Sequence, residues 1–301
     1  MATYELLVSA ENNCYMAWQA MLFHYSCVTH VGQAPLIIVH AGDEPLLPEF
    51  GLIERRGGRV RRAPNLRWNN GIDYAPRNLA GTLSYVESEA DYLVLCEPDM
   101  VFFRPAAHLT PRLAADQIGL EAVAYLSVDD TNRRTLAHAC DLAGLDFAEL
   151  ERAPISGGMP VVLRRSLQEP LSREWFHCLE FFEQIHEAET EDSHPEEFNW
   201  WIRIMWALVF AVRRLGLRHV ISNYCVVNYP GTELPLGPSS SQTVIVHYGY
   251  SDDVFDKRLY FGDQAACNKV WAVRPQAGNV SGLVCAAIGA AREFYGISAD
   301  A

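Results

Sequence analysis

Glu97-Pro98-Asp99 lies directly between two apolar runs, Tyr92-Leu93-Val94-Leu95-Cys96 and Met100-Val101-Phe102-Phe103. Carboxylates two apart are common in this chain, as at Glu87/Glu89, Glu89/Asp91, Glu187/Glu189 and Glu189/Glu191, so the spacing alone says little. The flanks separate this pair from the others. Desolvating a carboxylate between hydrophobic runs is costly unless it is paired or coordinates a cation. A hard divalent ion carrying phosphate oxygens is a natural partner, and a turn acid capping the local backbone is the plain alternative. His247 follows the apolar run Thr243-Val244-Ile245-Val246 and precedes Tyr248-Gly249-Tyr250. Imidazole suits Mn²⁺ or another transition metal better than Mg²⁺, while a hydrogen-bonded core histidine would fit the same position.

Other residues offer weaker chemistry. Ser9-Ala10-Glu11-Asn12-Asn13, read as the loop after the first strand, supplies hydroxyl, amide and backbone donors, with simple helix capping by Ser9 or Asn12 as the alternative. Arg77, beside Pro76 at a helix start, is placed to reach a diphosphate as a charge-assisted donor or to stay an exposed arginine. Trp200, Trp201 and Trp206 offer stacking for a sugar or base, or belong to the core of an apolar helix. No G-x-G-x-x-G, G-x-x-x-x-G-K-[ST], H-E-x-x-H or G-x-S-x-G occurs.

These residues must be held by a fold with strand ends at one edge. Apolar runs at Tyr4–Ala10, Pro35–His40, Tyr92–Cys96, Ala122–Leu126, Met159–Leu163, His219–Ile221 and Thr243–Val246 read as strands. Helices are predicted after the first strand, from Pro76 to Glu89, from Ser166 to Glu187 and from Glu196 to Leu215, with an acidic loop Glu187–Asp192 between the last two. Strands alternating with helices imply a mostly parallel sheet covered on both faces, whose ligand edge is the C-terminal end of the strands. With 301 residues, no repeat and no convincing linker, one domain spanning 1–301 is expected, carrying a C-terminal extension from about residue 254.

Composition limits the partners. The net charge is −13 at neutral pH, and Arg55, Arg56, Arg59, Arg61 and Arg62 form the one basic cluster, which argues against nucleic acid and anionic lipid. Eight scattered cysteines without a C-x-x-C pair argue against a disulfide framework or structural zinc. No uncharged stretch approaches the ~18 residues of a membrane span, and the start Met1-Ala2-Thr3-Tyr4 shows no basic leader, so a cytoplasmic location is expected. Two lysines among 24 basic residues point to a high-GC bacterial source.

The string Tyr92 to Pro105, with Glu97-Pro98-Asp99 followed by apolar residues and Arg104-Pro105, closely resembles the metal-site segment of the hydroxyproline O-arabinosyltransferases and the related peptidyl serine α-galactosyltransferases. Val8-Ser9-Ala10-Glu11-Asn12 with Tyr15, Trp18 and Gln19 resembles that family's first strand and helix, and Ile38-Val39-His40-Ala41-Gly42 its second strand. Gly216 to Ile221 and Ile245-Val246-His247-Tyr248 resemble its closing segments, so the likeness extends to about Asp253. The resemblance implies a GT-A glycosyltransferase fold of class α/β, a Rossmann-like, mostly parallel central sheet flanked by helices. It also implies a UDP-sugar donor and Mn²⁺ or Mg²⁺ as cofactor. On this likeness Asp99 and His247 ligate the metal, and Glu97 contacts the ribose or the metal and its water shell. Ser9, Ala10, Glu11, Asn12, Arg77, Pro98, Ser156, Gly157, Gly158, Tyr248 and Gly249 complete the donor contacts. The expected reaction is metal-dependent, retaining transfer of an arabinose- or galactose-type sugar to a hydroxyl of a peptide or small molecule, with a homodimer allowed.

The family's long second helix carries a glutamate just ahead of Met and an aromatic, where this chain reads Trp201-Ile202-Arg203-Ile204-Met205-Trp206. Glu196, Glu197 and Asp130 are the candidate substitutes, with Glu197 and Asp130 carried forward as catalytic candidates. Two rival functions remain in view. A nucleotidyltransferase usually places a Gly-rich basic loop after the first strand, and Ser9 to Tyr15 holds neither glycine nor a base. A catalytically silent nucleotide-sugar or peptide binder would keep the fold without turnover.

Overall fold

The computed structural model describes residues 2–106, 113–155, 157–192, 198–230, 232, 243–275 and 278–298. The chain begins with β1 (Tyr4–Glu11), α1 (Cys14–Ser26), β2 (Leu36–His40), α2 (Pro48–Arg55), β3 (Arg59–Ala63), β4 (Trp68–Asn69), β5 (Ile72–Asp73) and α3 (Arg77–Thr82). It continues through β6 (Tyr92–Cys96), β7 (Met100–Phe102), β8 (Gln117–Ala122), α4 (Arg133–Ala143), α5 (Phe147–Arg152), β9 (Gly157–Arg164) and α6 (Gln168–Asp192). Last come α7 (Arg203–Arg214), β10 (Arg218–Ser222), β11 (Cys225–Val227), β12 (Ile245–His247), α8 (Gln264–Asn268) and α9 (Val280–Tyr295).

Seven strands form the main sheet in the order β10-β8-β9-β6-β1-β2-β3. β1, β2 and β3 pair in parallel, as do β10 and β8, while β8 and β9 are antiparallel. The expected mixed α/β class with a mostly parallel sheet and flanking helices is therefore the observed one. β2 and β6 are buried at every position, the mark of strands covered on both faces.

The residues group into two compact units, with the division passing through β6. The first comprises Met1–Tyr4, Leu66–Leu93 and Arg112–Ser222, and the second Glu5–Asn65, Val94–Pro111 and Asn223–Ala301. In the first, α6 packs against α3, α4 and α7. Leu171, Trp175, Cys178, Phe182 and Ile185 recur every three or four residues along α6 and are buried, which makes one stripe of a helix. In the second, α1 packs against α2, α8, α9 and β7. The Asn13 side chain caps α1 by accepting a hydrogen bond from the Met16 amide at 2.8 Å.

Several boundaries differ from those expected. The strand predicted at Ala122–Leu126 is β8, Gln117–Ala122; Gln117, Gly119 and Glu121 break up its apolar pattern, although Ile118 and Leu120 are fully buried. The helix expected from Pro76 to Glu89 has its α-helical part at Arg77–Thr82 and ends in one 3₁₀ turn, Leu83–Tyr85. The acidic stretch Glu187–Asp192 belongs to α6 rather than to a loop; glutamate is a good helix former. Among the described residues of the second long segment, α-helix begins at Arg203, after a 3₁₀ turn at Trp200–Ile202. Among the described residues no helix is long and apolar enough to cross a membrane.

Candidate metal centre

β6 ends at Cys96, and the chain turns through Glu97-Pro98-Asp99 into β7. β7 pairs antiparallel with β12, in the register Met100↔His247, Val101↔Val246 and Phe102↔Ile245. This register sets His247 opposite the residue that follows Asp99. The Tyr248 amide donates to the Asp99 carbonyl at 2.9 Å, and the Tyr248 hydroxyl donates to the Pro98 carbonyl at 3.3 Å, so the backbones on either side of the site are tied directly. β12 is also paired in parallel with β11, with Val227 opposite His247.

Glu97, Asp99 and His247 offer one ligand atom each, all within 4.8 Å of one another. The His247 Nε2 lies 3.4 Å from Glu97 Oε2 and 3.4 Å from Asp99 Oδ2. Neighbouring ligands of a six-coordinate ion held at ~2.1 Å are roughly 3 Å apart, so a small rotation of the side chains closes the set on a cation. One imidazole and two carboxylates suit Mn²⁺ or another borderline divalent ion and leave positions for ligand oxygens and water. The Lys257 ammonium pairs with Asp99 Oδ2, marking a place where this site already stabilises positive charge.

The electrostatics follow from four ionisable groups packed close together. Burial works against ionisation of Asp99, but Lys257 and His247 more than reverse it and hold the carboxyl far below the usual range. Glu97 goes the other way: burial and the Asp99 charge raise it, against smaller opposing effects of His247 and Lys257. Burial lowers the His247 and Lys257 pKa values, yet the carboxylates carry both above their ordinary values. Gly249 approaches closely for a reason, since a Cβ there would stand 3.1 Å from His247 Nε2 and 3.6 Å from Asp99 Oδ2. Tyr248 is fully buried, its ring stacked on Trp18 with centroids 6.1 Å apart.

The remaining expected positions fall as follows. Ser9, Ala10 and Glu11 are the last residues of β1 rather than a loop, and all three are buried. Asn12 spends its amide on the neighbouring segment, donating to the Pro45 carbonyl at 2.9 Å and accepting from the Leu47 amide at 3.0 Å. Glu11 accepts from the Asn13 side chain at 2.9 Å. Arg77 belongs to the first unit, where it is buried and ion-paired with Glu183. Gly157 and Gly158 open β9; a Cβ on the former would stand 2.6 Å from Leu120, and on the latter 2.9 Å from Met205 and Val123. Their glycines serve strand packing. Asp130 lies in an exposed turn. Ser156, Glu196 and Glu197 lie outside the described residues.

Lys257 was not singled out by the sequence. Its signal was slight: one of two lysines, ten residues beyond His247 and flanked by Asp256 and Arg258. Tyr15 was noted only in the resemblance to the first helix, yet the Lys257, Asp99, Asp256 and Arg258 charges all act on its hydroxyl, which burial raises above its ordinary pKa.

No known protein-family model matches the sequence, and no characterised protein is significantly similar to it in sequence. Similar solved structures include the bifunctional glycosyltransferase WbbM (10% identity, 96% of this chain and 50% of that one, TM-score 0.46). They also include the galactosyltransferase LgtC in complex with donor and acceptor sugar analogs (14%, 87% and 91%, TM-score 0.45). A third is the glycosyltransferase GlyE of Streptococcus pneumoniae TIGR4 (14%, 84% and 57%, TM-score 0.44). The chain spans about half the length of WbbM.

Proposed function

We propose that this chain is a metal-dependent, retaining glycosyltransferase that moves a sugar from a UDP-sugar to a hydroxyl acceptor. The observation that carries the reading is the convergence of Glu97, Asp99 and His247 beyond the C-terminal end of β6, where open α/β sheets bind ligands. Asp99 and His247 are the metal ligands, and Glu97 ligates the ion or orders its water shell and the ribose. A divalent cation held there supplies charge that offsets the negative charge building on the departing diphosphate. Asp99 is ionised throughout the physiological range and is a ready ligand. With a divalent cation held by Asp99, the Lys257 ammonium that now pairs with that carboxylate would be free to donate to a diphosphate oxygen as a charge-assisted donor. In a front-face reaction the departing phosphate takes the acceptor's proton, so the chain need supply no general base. An arabinose- or galactose-type sugar and a peptide or small-molecule acceptor are part of the same reading.

The test is calorimetric titration of UDP into the protein with Mn²⁺ or with EDTA, run in parallel on Asp99→Asn. Metal-dependent binding that disappears in the variant is expected. Binding that ignores the metal, or survives in Asp99→Asn, defeats the assignment.

A further inference from the structure

β11 and β12 end side by side, with Val227 opposite His247. From there one chain continues as Asn228-Tyr229 and the other as Tyr248-Gly249-Tyr250. Asn228 is fully buried and holds the second chain through both ends of its amide. Its Nδ2 donates to the Tyr250 carbonyl at 3.0 Å, and its Oδ1 accepts from the Tyr250 amide at 3.1 Å. Nδ2 also donates to the buried Ser281 hydroxyl on α9 at 3.3 Å, which anchors the clamp in the core. The backbone of Tyr250 is thereby fixed next to Gly249, where a Cβ would stand 3.1 Å from His247 Nε2 and 3.6 Å from Asp99 Oδ2.

The two tyrosines carried by these chains pack on one another. Their ring centroids are 4.1 Å apart with planes inclined at 42°, and their hydroxyls are hydrogen-bonded. Each ring braces the other, yet Tyr229 stays 44% and Tyr250 36% exposed, so both reach solvent. Burial, then the bond to Tyr229 and the Glu97 charge, raise the Tyr250 hydroxyl above its ordinary pKa. It keeps its proton, and the pair is linked to the metal centre by charge as well as by chain. Single exposed aromatics are ordinary on a protein surface. A braced and clamped pair beside a ligand set is different, because its side chains are already ordered and little further ordering opposes binding.

Chemistry and place together indicate the ligand. A tyrosine offers an apolar ring and a terminal hydroxyl that both donates and accepts. A sugar ring offers the complement, C–H groups on its faces and hydroxyls around its edge. The pair carries no charge that would hold a charged peptide or a phosphate. In the reaction proposed above, the acceptor hydroxyl must reach the sugar carbon attached to the metal-held diphosphate, so the acceptor rests next to this centre. The donor's base lies farther off, beyond the ribose.

We propose that Tyr229 and Tyr250 form the platform on which the acceptor lays a saccharide ring, which makes the acceptor a sugar rather than a peptide. The assignment rests on the transfer reading, and every residue it uses belongs to the second unit. The exposed tyrosine surface covers an apolar face of the ring, the phenol hydroxyls meet its hydroxyls, and Asn228 keeps Tyr250 in register with His247.

The experiment is saturation-transfer NMR on the intact chain with methyl glycosides of galactose, glucose and mannose at millimolar concentration, with and without UDP and Mn²⁺. Cyclohexanol, a ring bearing one hydroxyl, and N-acetylhydroxyproline methylamide, a peptide-like hydroxyl, serve as comparison compounds. Transfer to at least one glycoside, above that to both comparison compounds, is expected. Tyr229→Ala and Tyr250→Ala should each weaken it roughly tenfold, the size of one lost aromatic contact. Tyr250→Phe keeps the ring and should recover part of the loss, and the unfolding transition of each variant checks its fold. No transfer to any glycoside in either condition overturns the proposal, as does binding unchanged in both alanine variants. Equal or stronger transfer to the hydroxyproline amide makes the acceptor a peptide and overturns it too. UDP is then titrated with Mn²⁺ into the same variants, and the parent affinity is expected; a matching loss of UDP binding would assign the rings to the donor's base and overturn the proposal. A parent chain that fails to bind UDP with metal defeats the transfer reading, whereas an intact UDP titration without glycoside binding defeats the platform alone.

Discussion

Asp99 is the residue on which the candidate metal centre turns, because the Lys257 ammonium and the His247 imidazole already converge on one of its carboxylate oxygens. A divalent cation held there would take the place of the Lys257 ammonium on Asp99, with the imidazole as a ligand in its neutral form. If His247 coordinates the ion, His247→Ala should weaken Mn²⁺ affinity by ~10 to 100-fold; a metal titration identical to the parent would return the residue to a hydrogen-bonding role. Gly249 makes a complementary test, since it leaves every proposed ligand in place. The Cβ of Gly249→Ala stands 3.1 Å from His247 Nε2, pressing on the imidazole rather than on the core. Expected are weaker metal binding and an unaltered unfolding transition, and equal affinity for the ion would show that the imidazole has room to move.

At the scale of elements, β7 and β12 bring the candidate metal ligands together, while α1, β1, β2 and β3 form the framework beside them. Two histidines are locked into that framework. His24 on α1 binds the Tyr295 hydroxyl through Nδ1 at 2.6 Å, and His40 at the end of β2 contacts the Pro64 carbonyl through Nδ1 at 2.8 Å. Burial pushes both down to about 4, against ~6.5 in an unfolded chain. The unfolded chain therefore takes up protons first as the medium is acidified. Stability from these neutral rings is complete above about pH 6.5 and is lost as the pH falls from there towards 4, by on the order of 3 kcal/mol for each ring. Urea midpoints measured at about pH 7.5 and about pH 5 should fall on acidification, with a smaller fall in His24→Phe. A midpoint that does not move with pH would contradict the burial of the two rings.

For the whole molecule, the formal charge of −13 favours the approach of divalent cations and disfavours polyanions. Turnover of a UDP-sugar should cease with EDTA and return when Mn²⁺ is added in excess. Activity indifferent to chelation would mean that Lys257 alone supplies the positive charge. A protein that binds UDP with metal yet never consumes a UDP-sugar would be the silent binder instead.

Much of the architecture is written in local order. Tyr92–Cys96 is a strand with the expected bounds, because five consecutive apolar residues ending at an acid have few other solutions in an α/β pattern. β1, β2 and β9 were readable for the same reason, while β8 was misplaced because Gly119 and Glu121 interrupt its apolar pattern. Glu97 and Asp99 could be singled out by their flanks, since the cost of desolvating a carboxylate is a local fact. Partners from distant segments could not be read this way. Lys257 reaches Asp99 across 158 positions of sequence, and Arg77 turned out to pair with Glu183 rather than to present a free charge. Periodicity and composition act over a few residues, so they determine which segments become buried strands and helices; the register of β12 on β7 decides that His247 faces Asp99, and packing of α6 and α3 decides where Arg77 spends its charge.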